Sequence, residues 1–109
     1  MDEAVKAYLD RYPDEIKALF ETLREFLYAA FPAAEEKLWA KLPSYYAGER
    51  FVRFIPFKDH INIEARAVTA HSGELPGFAI TPKGMLQVGL KKELPAELLE
   101  RIFAETLAK

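Results

Sequence analysis

The sequence predicts an α+β domain of two layers: a curved antiparallel sheet of about four to five strands, with an N-terminal helix pair and a C-terminal helix on one face. Three observations predict it. Apolar residues recur at three- and four-residue spacing at both ends of the chain, the period changes to two in the middle, and no linker or internal repeat divides the 109 residues. A single domain over residues 1-109 follows, with one core that buries roughly two-thirds of the surface an unfolded chain exposes.

The elements can be justified in order. Ala4, Val5, Tyr8, Leu9 and Tyr12 form a helical stripe that Pro13 closes while serving as an early position of the next helix. That second helix carries Ile16, Leu19, Phe20, Leu23, Phe26, Leu27, Ala30 and Phe31 on one side. Asp14 and Glu15 occupy its first turn, where the helix dipole favours acids, and Pro32 stops it. Leu38, Ala40 and Leu42 then alternate with Lys37, Trp39 and Lys41, which predicts a strand ended by Pro43. Tyr45 and Tyr46 lead into an Ala47-Gly48-Glu49 turn. Residues 51 to 57 form the most apolar strand, with Val52 and Phe54 toward the helices and Phe51, Arg53, Ile55 and Phe57 away from them. Lys58-Asp59 reads as a tight hairpin, though without the glycine such turns prefer. In the partner strand, Ile61, Ile63 and Ala65 alternate with His60, Asn62 and Glu64. Residues 66 to 83 read as a short helix or loop with turn signals at Pro76-Gly77 and Pro82. A last strand over 85 to 90 sets Leu86, Val88 and Leu90 inward and Gln87 outward, and a helix starting near Pro95 carries Leu98, Leu99, Ile102, Phe103 and Leu107.

Composition removes several classes of function. The chain has no cysteine, so disulfides, thiolate nucleophiles and zinc or iron–sulfur ligation through cysteine are excluded. No run reaches the roughly 18 apolar residues of a membrane span, and Met1-Asp2-Glu3 lacks the basic start of a signal peptide, so a cytoplasmic soluble domain is expected. The net charge of -2 hides a division: residues 1 to 36 hold nine acids and four bases, residues 37 to 92 nine bases and four acids, residues 93 to 109 four acids and two bases. An acidic helical layer and a basic sheet layer are expected, the second favouring anionic partners.

Helices cover only one side of the predicted sheet, so its other side is the expected working surface. Trp39 lies there between two lysines, and its strand neighbours already claim the core side. An indole flanked by amines can stack a flat ligand while the amines hold its carboxylate or phosphate. Trp39, Lys41, Tyr45, Arg53, Lys58, His60 and Lys83 are the candidate ligand-binding residues. No metal-ligand spacing is present, since His60 and His71 are the only imidazoles and stand eleven residues apart. Asp10, Asp14, Glu15, Glu21, Glu25, Glu35 and Glu36 could offer hard oxygen ligands to a cation on the helical layer, although Lys17 lies within ion-pairing range of Asp14 and Glu21. No nucleophile context or glycine-rich phosphate loop occurs, and nothing in the sequence assembles the histidine and scattered carboxylates for acid–base work, so catalysis has no positive support.

The segments from Glu36 to Tyr45 and from Phe54 to Ile61, with Pro82-Lys83-Gly84 and Glu93-Leu94-Pro95 further on, resemble the YdhG-like family of bacterial domains over nearly the whole chain. Lys58, His60, Lys83 and Gly84 match its motifs, whereas Ala40 and Lys41 replace a Gly-Met usual before the proline. The resemblance implies an α+β domain with helices packed on a curved antiparallel sheet. Because one member is described as a frataxin-like iron chaperone, it also implies iron delivery for cofactor assembly, by analogy alone. The residues by themselves point to a non-catalytic domain that binds a small molecule on the open sheet face; iron carriage through surface carboxylates, resting mostly on the resemblance, is the alternative. Nucleic acid is a weak expectation without a basic net charge or a stacking signature. A monomer and a homodimer paired through a sheet edge are both open.

Overall fold

The computed structural model describes residues 1–90 and 93–108 of the chain. Helix α1 (Glu3–Leu9) opens on Asp2, whose carboxylate accepts the Val5 amide at 3.1 Å and so satisfies one of the donors a helix start leaves unpaired. Helix α2 (Asp14–Ala30) follows Pro13 and buries Ile16, Phe20, Leu23 and Leu27, the inner side of the predicted stripe. Its last turn ends at Phe31, ahead of Pro32, whose ring disfavours helical geometry in the residue before it.

The strand expected from Lys37 to Leu42 is two strands. β1 (Glu35–Trp39) and β2 (Leu42–Ala47) form a hairpin across Ala40 and Lys41, which carry φ angles of +50° and +66°. Such a turn favours Asn-Gly, and Ala-Lys gives no such signal. Leu42 pairs with Trp39 and so joins the open face instead of the core. Pro43 lies inside β2; it pairs with Leu38, and the ladder to the next strand starts only at Ser44, so its missing N–H leaves no ladder bond unmade there.

β3 (Arg50–Pro56) is reached through Gly48 at φ +65°, the first of two turn residues, where a glycine is what this kind of hairpin requires. Lys58-Asp59 forms the predicted hairpin to β4 (His60–Ala65), closed by the Phe57 amide on the His60 carbonyl at 2.8 Å. A 3-10 segment (Arg66–Glu74) follows, then β5 (Ala79–Ile80), β6 (Leu86–Gly89) and helix α3 (Ala96–Leu107). The sheet is antiparallel and open, in the order β1-β2-β3-β4-β6-β5. It has six strands, more than the four to five expected, because the first hairpin splits one reading in two and the two-residue β5 is too short to carry a periodic signal.

Tyr45, Val52, Phe54, Ile61, Ile63, Leu86 and Val88 line the covered face and meet the apolar sides of α2 and α3. Phe54 is the hub: Phe20 stands edge-on to it at 5.4 Å, Phe103 lies 5.8 Å away and Tyr45 5.2 Å away. Glu36 is buried on this same face. It accepts from Arg24 Nε at 2.6 Å and Tyr45 Oη at 2.7 Å, and from the Asp2 amide, which ties the N-terminus and α2 to the sheet edge. Burial pushes the Glu36 carboxyl up, but Arg24, Asp2 and Tyr45 together hold it below the ordinary value.

The 3-10 segment packs on α3. Thr106 Oγ1 accepts the Ala67 amide at 3.2 Å, Arg66 reaches the Glu105 carbonyl at 2.9 Å, and His71 lies between Glu105 and Glu74 at 2.9 Å from each. Glu105 and then Glu74 raise the His71 pKa. Residues 66 to 74 therefore belong to the helical layer and leave Trp39 uncovered. Among the described residues no helix is long and apolar enough to cross a membrane.

Candidate functional site

On the open face one row runs across four strands: Lys37, Ser44, Arg53 and Glu64 stand side by side in β1, β2, β3 and β4. Tyr46 and Phe51 are paired in the adjacent row. This register puts Arg53 at the centre of an aromatic group. Its Nε donates to Ser44 Oγ at 3.1 Å, one terminal nitrogen to Glu64 at 3.3 Å and the other to Tyr46 Oη at 3.1 Å. The guanidinium carbon lies 4.0 Å from the Trp39 ring centre and 3.7 Å from that of Phe51. Lys37 Nζ is 4.6 Å from the Tyr46 ring centre.

A guanidinium suits such a place because its flat faces stack on rings while its edge donors stay in plane. Arg53 is only 7% exposed, so Trp39 and Phe51 shield it and Glu64 balances its charge. Trp39 itself is 51% exposed. Its indole is supported by Arg53 and still presents about half its surface to water, the geometry of a stacking platform.

The seven candidate residues do not form one pocket. Trp39 and Arg53 are in contact, with Arg53 as a buried support and not a free cation. Tyr45 is a correction: it is fully buried on the covered face, edge-on to Tyr28 and tilted against Phe54, with its hydroxyl on Glu36. Its neighbour Tyr46 is the tyrosine on the open side. Lys41 sits at the strained hairpin tip and lines a separate hollow against Ala4, Tyr8 and Arg11 of the α1 region. His60 lies on the open face, its ring stacked on Phe57 at 4.5 Å and its Nδ1 2.7 Å from Asp59, whose carboxyl it lowers. Lys58 is in the turn beside it. Lys83 is at the other end of the sheet, since His60 pairs with Gly89 whereas Ile63 pairs with Leu86, next to the β5–β6 turn. Six residues of β4 span about 17 Å, too far for Lys58 and Lys83 to hold one small molecule.

Ser44 and Tyr46 were missed as members of the group. Taking Gly48-Glu49 as a two-residue turn pairs Phe51 with Tyr46 and Arg53 with Ser44, which would have placed both on the Arg53 side.

The acids do not gather either. Glu35 and Glu36 fall on opposite faces of β1, and Lys17 Nζ lies 3.8 Å from Asp10 and 3.5 Å from Asp14. Among the described residues no three His, Asp or Glu side chains form a group able to hold a metal ion. The fold and site define a two-layer α+β domain that carries an aromatic and cationic cluster on an uncovered sheet. No family model matches the chain, and no curated protein or solved structure matches it.

Proposed function

We propose that this chain is a non-catalytic binding domain that takes a small flat molecule on the open face of its sheet, stacked on Trp39. The observation that carries the reading is the supported, half-exposed indole. An indole can bury about 200 Å², so leaving half in water forgoes roughly 2–3 kcal/mol of burial, and a stacked ring recovers about 1–3 kcal/mol. The three hydrogen bonds that fix Arg53 hold the platform before a ligand arrives, which lowers the entropy lost on binding. Lys37 beside Tyr46 supplies a nearby positive charge for an anionic substituent.

Trp39 is the only tryptophan, so its emission reports the site directly. Titration with fractionated metabolite pools, and then with aromatic carboxylates and nucleoside monophosphates, is expected to give saturable quenching in at least one pool. The heat of binding measured for that ligand should disappear in Trp39→Leu. A flat response in every pool sinks the proposal. The YdhG-like resemblance implies iron carriage instead, and calorimetry with ferrous iron separates the two. Heat that vanishes on replacing Asp14, Glu15 and Glu21 together would move the assignment to the helical carboxylates.

A further inference from the structure

A cleft of about 400 Å³ lies at the end of the sheet where β3 begins and β4 ends. Trp39 does not line it. Its cations come from three elements: Arg50 from β3, Arg66 from the 3-10 segment and Lys83 from the β5–β6 turn, and Thr69 also lines it. We propose that this cleft is an anion site for a compact dianion of the phosphate-monoester class, independent of the reading of Trp39.

The charge inventory supports a dianion. Two acids also line the cleft, but Glu64 is paired with Arg53, which leaves Glu49 alone against Arg50, Arg66 and Lys83. Among the described residues Arg50 and Lys83 make no ion pair, and Arg66 uses one nitrogen on the Glu105 carbonyl, which keeps further N–H donors available. Unbalanced like charges around one concave space focus a positive potential there, and an anion relieves it.

The shape favours a tetrahedral oxyanion. A lone carboxylate is matched by a single planar guanidinium in two parallel bonds, whereas cations contributed to one cleft by three separate elements suit oxygens that point in different directions. The volume falls near the small end of ligand pockets, which fits a compact anion with a short substituent. Gly84 keeps the Lys83 turn close: its φ is +85°, and a Cβ there would stand 3.1 Å from Thr69 Cγ2. Any side chain at 84 is strained at that φ and presses on Thr69 across the wall of the cleft.

The test is a titration of the isotope-labelled chain, followed by backbone NMR at fixed ionic strength, with sodium phosphate and then glycerol 3-phosphate. Saturable shifts are expected at the amides of Arg66, Thr69 and Gly84, while the Trp39 indole signal stays still. Lys83→Ala and Arg50→Ala, both at exposed positions without ion pairs, should each weaken binding about tenfold. Vesicles containing phosphatidic acid distinguish the source of the monoester. Retention that Lys83→Ala abolishes assigns it to a lipid headgroup, and saturable glycerol 3-phosphate binding without retention assigns it to a soluble metabolite. Shifts that sodium chloride reproduces, or affinities unchanged in both variants, overturn the proposal.

Discussion

Arg53→Lys is the sharpest test of how the open face is built, because it keeps the charge and removes the planar fork. A lysine ammonium can still reach Glu64, but it cannot also satisfy Ser44 and Tyr46, which the Nε and a terminal nitrogen along one edge of the guanidinium hold. Each lost bond costs about 1 kcal/mol, and Ser44 is fully buried, so no water replaces its partner. The flat contacts at 4.0 Å to Trp39 and 3.7 Å to Phe51 weaken too, adding about 0.5–1 kcal/mol. The expected loss is therefore about 2–3 kcal/mol, which for a domain of this size lowers the Tm by about 10–15 °C. Urea unfolding followed by circular dichroism should show a lower midpoint with an unchanged slope. Native Trp39 emission should shift to the red as the ring loses its support. A loss below about 0.5 kcal/mol together with unmoved emission would refute the claim that Arg53 carries the indole.

Three further outcomes follow from the same geometry. Glu36→Gln leaves Arg24 facing an amide in place of a carboxylate and should cost about 2–4 kcal/mol in urea unfolding at neutral pH. Because the folded Glu36 carboxyl is held below its unfolded value, its contribution is complete above the unfolded pKa and disappears as pH falls through the folded one; the gap between wild type and Glu36→Gln should close in acid. His71 behaves with the opposite sign: Glu105 and Glu74 raise its pKa, so the stability difference between wild type and His71→Gln should be full below the unfolded histidine value and vanish as pH rises through the folded one, read by thermal melts across that range. Lys41→Gly relieves left-handed backbone at φ +66° and should stabilise the chain by about 0.5–1 kcal/mol after allowance for the greater freedom of glycine when unfolded, seen as a raised urea midpoint.

The helices, the α+β class and the inward side of β3, β4 and β6 were determined by the sequence alone. In the helices, β4 and β6 the apolar period is regular, and in β3, apolar on both sides, Arg53 marks the outward side, so burial of one stripe or one face leaves a single solution. Phe54, Ile61, Ile63, Leu86 and Val88 lie inside as their alternation requires. The first hairpin was decided only by the folded chain. A two-residue turn at Ala40-Lys41 carries no turn chemistry in its residue types, yet missing it reverses the face of every residue from Leu42 to the next turn, and that reversal sent Tyr45 to the core and Tyr46 to the open side. Arg53 was correctly set on the open face, but whether an arginine there is free or buried depends on which rings stand over it, and those come from other strands through the register of the ladder. The end cleft was legible only as Lys83. Arg50, Arg66 and Thr69 are scattered in sequence, and long-range pairing of β3, β4 and β6 with packing of the 3-10 segment on α3 is what brings them to one place.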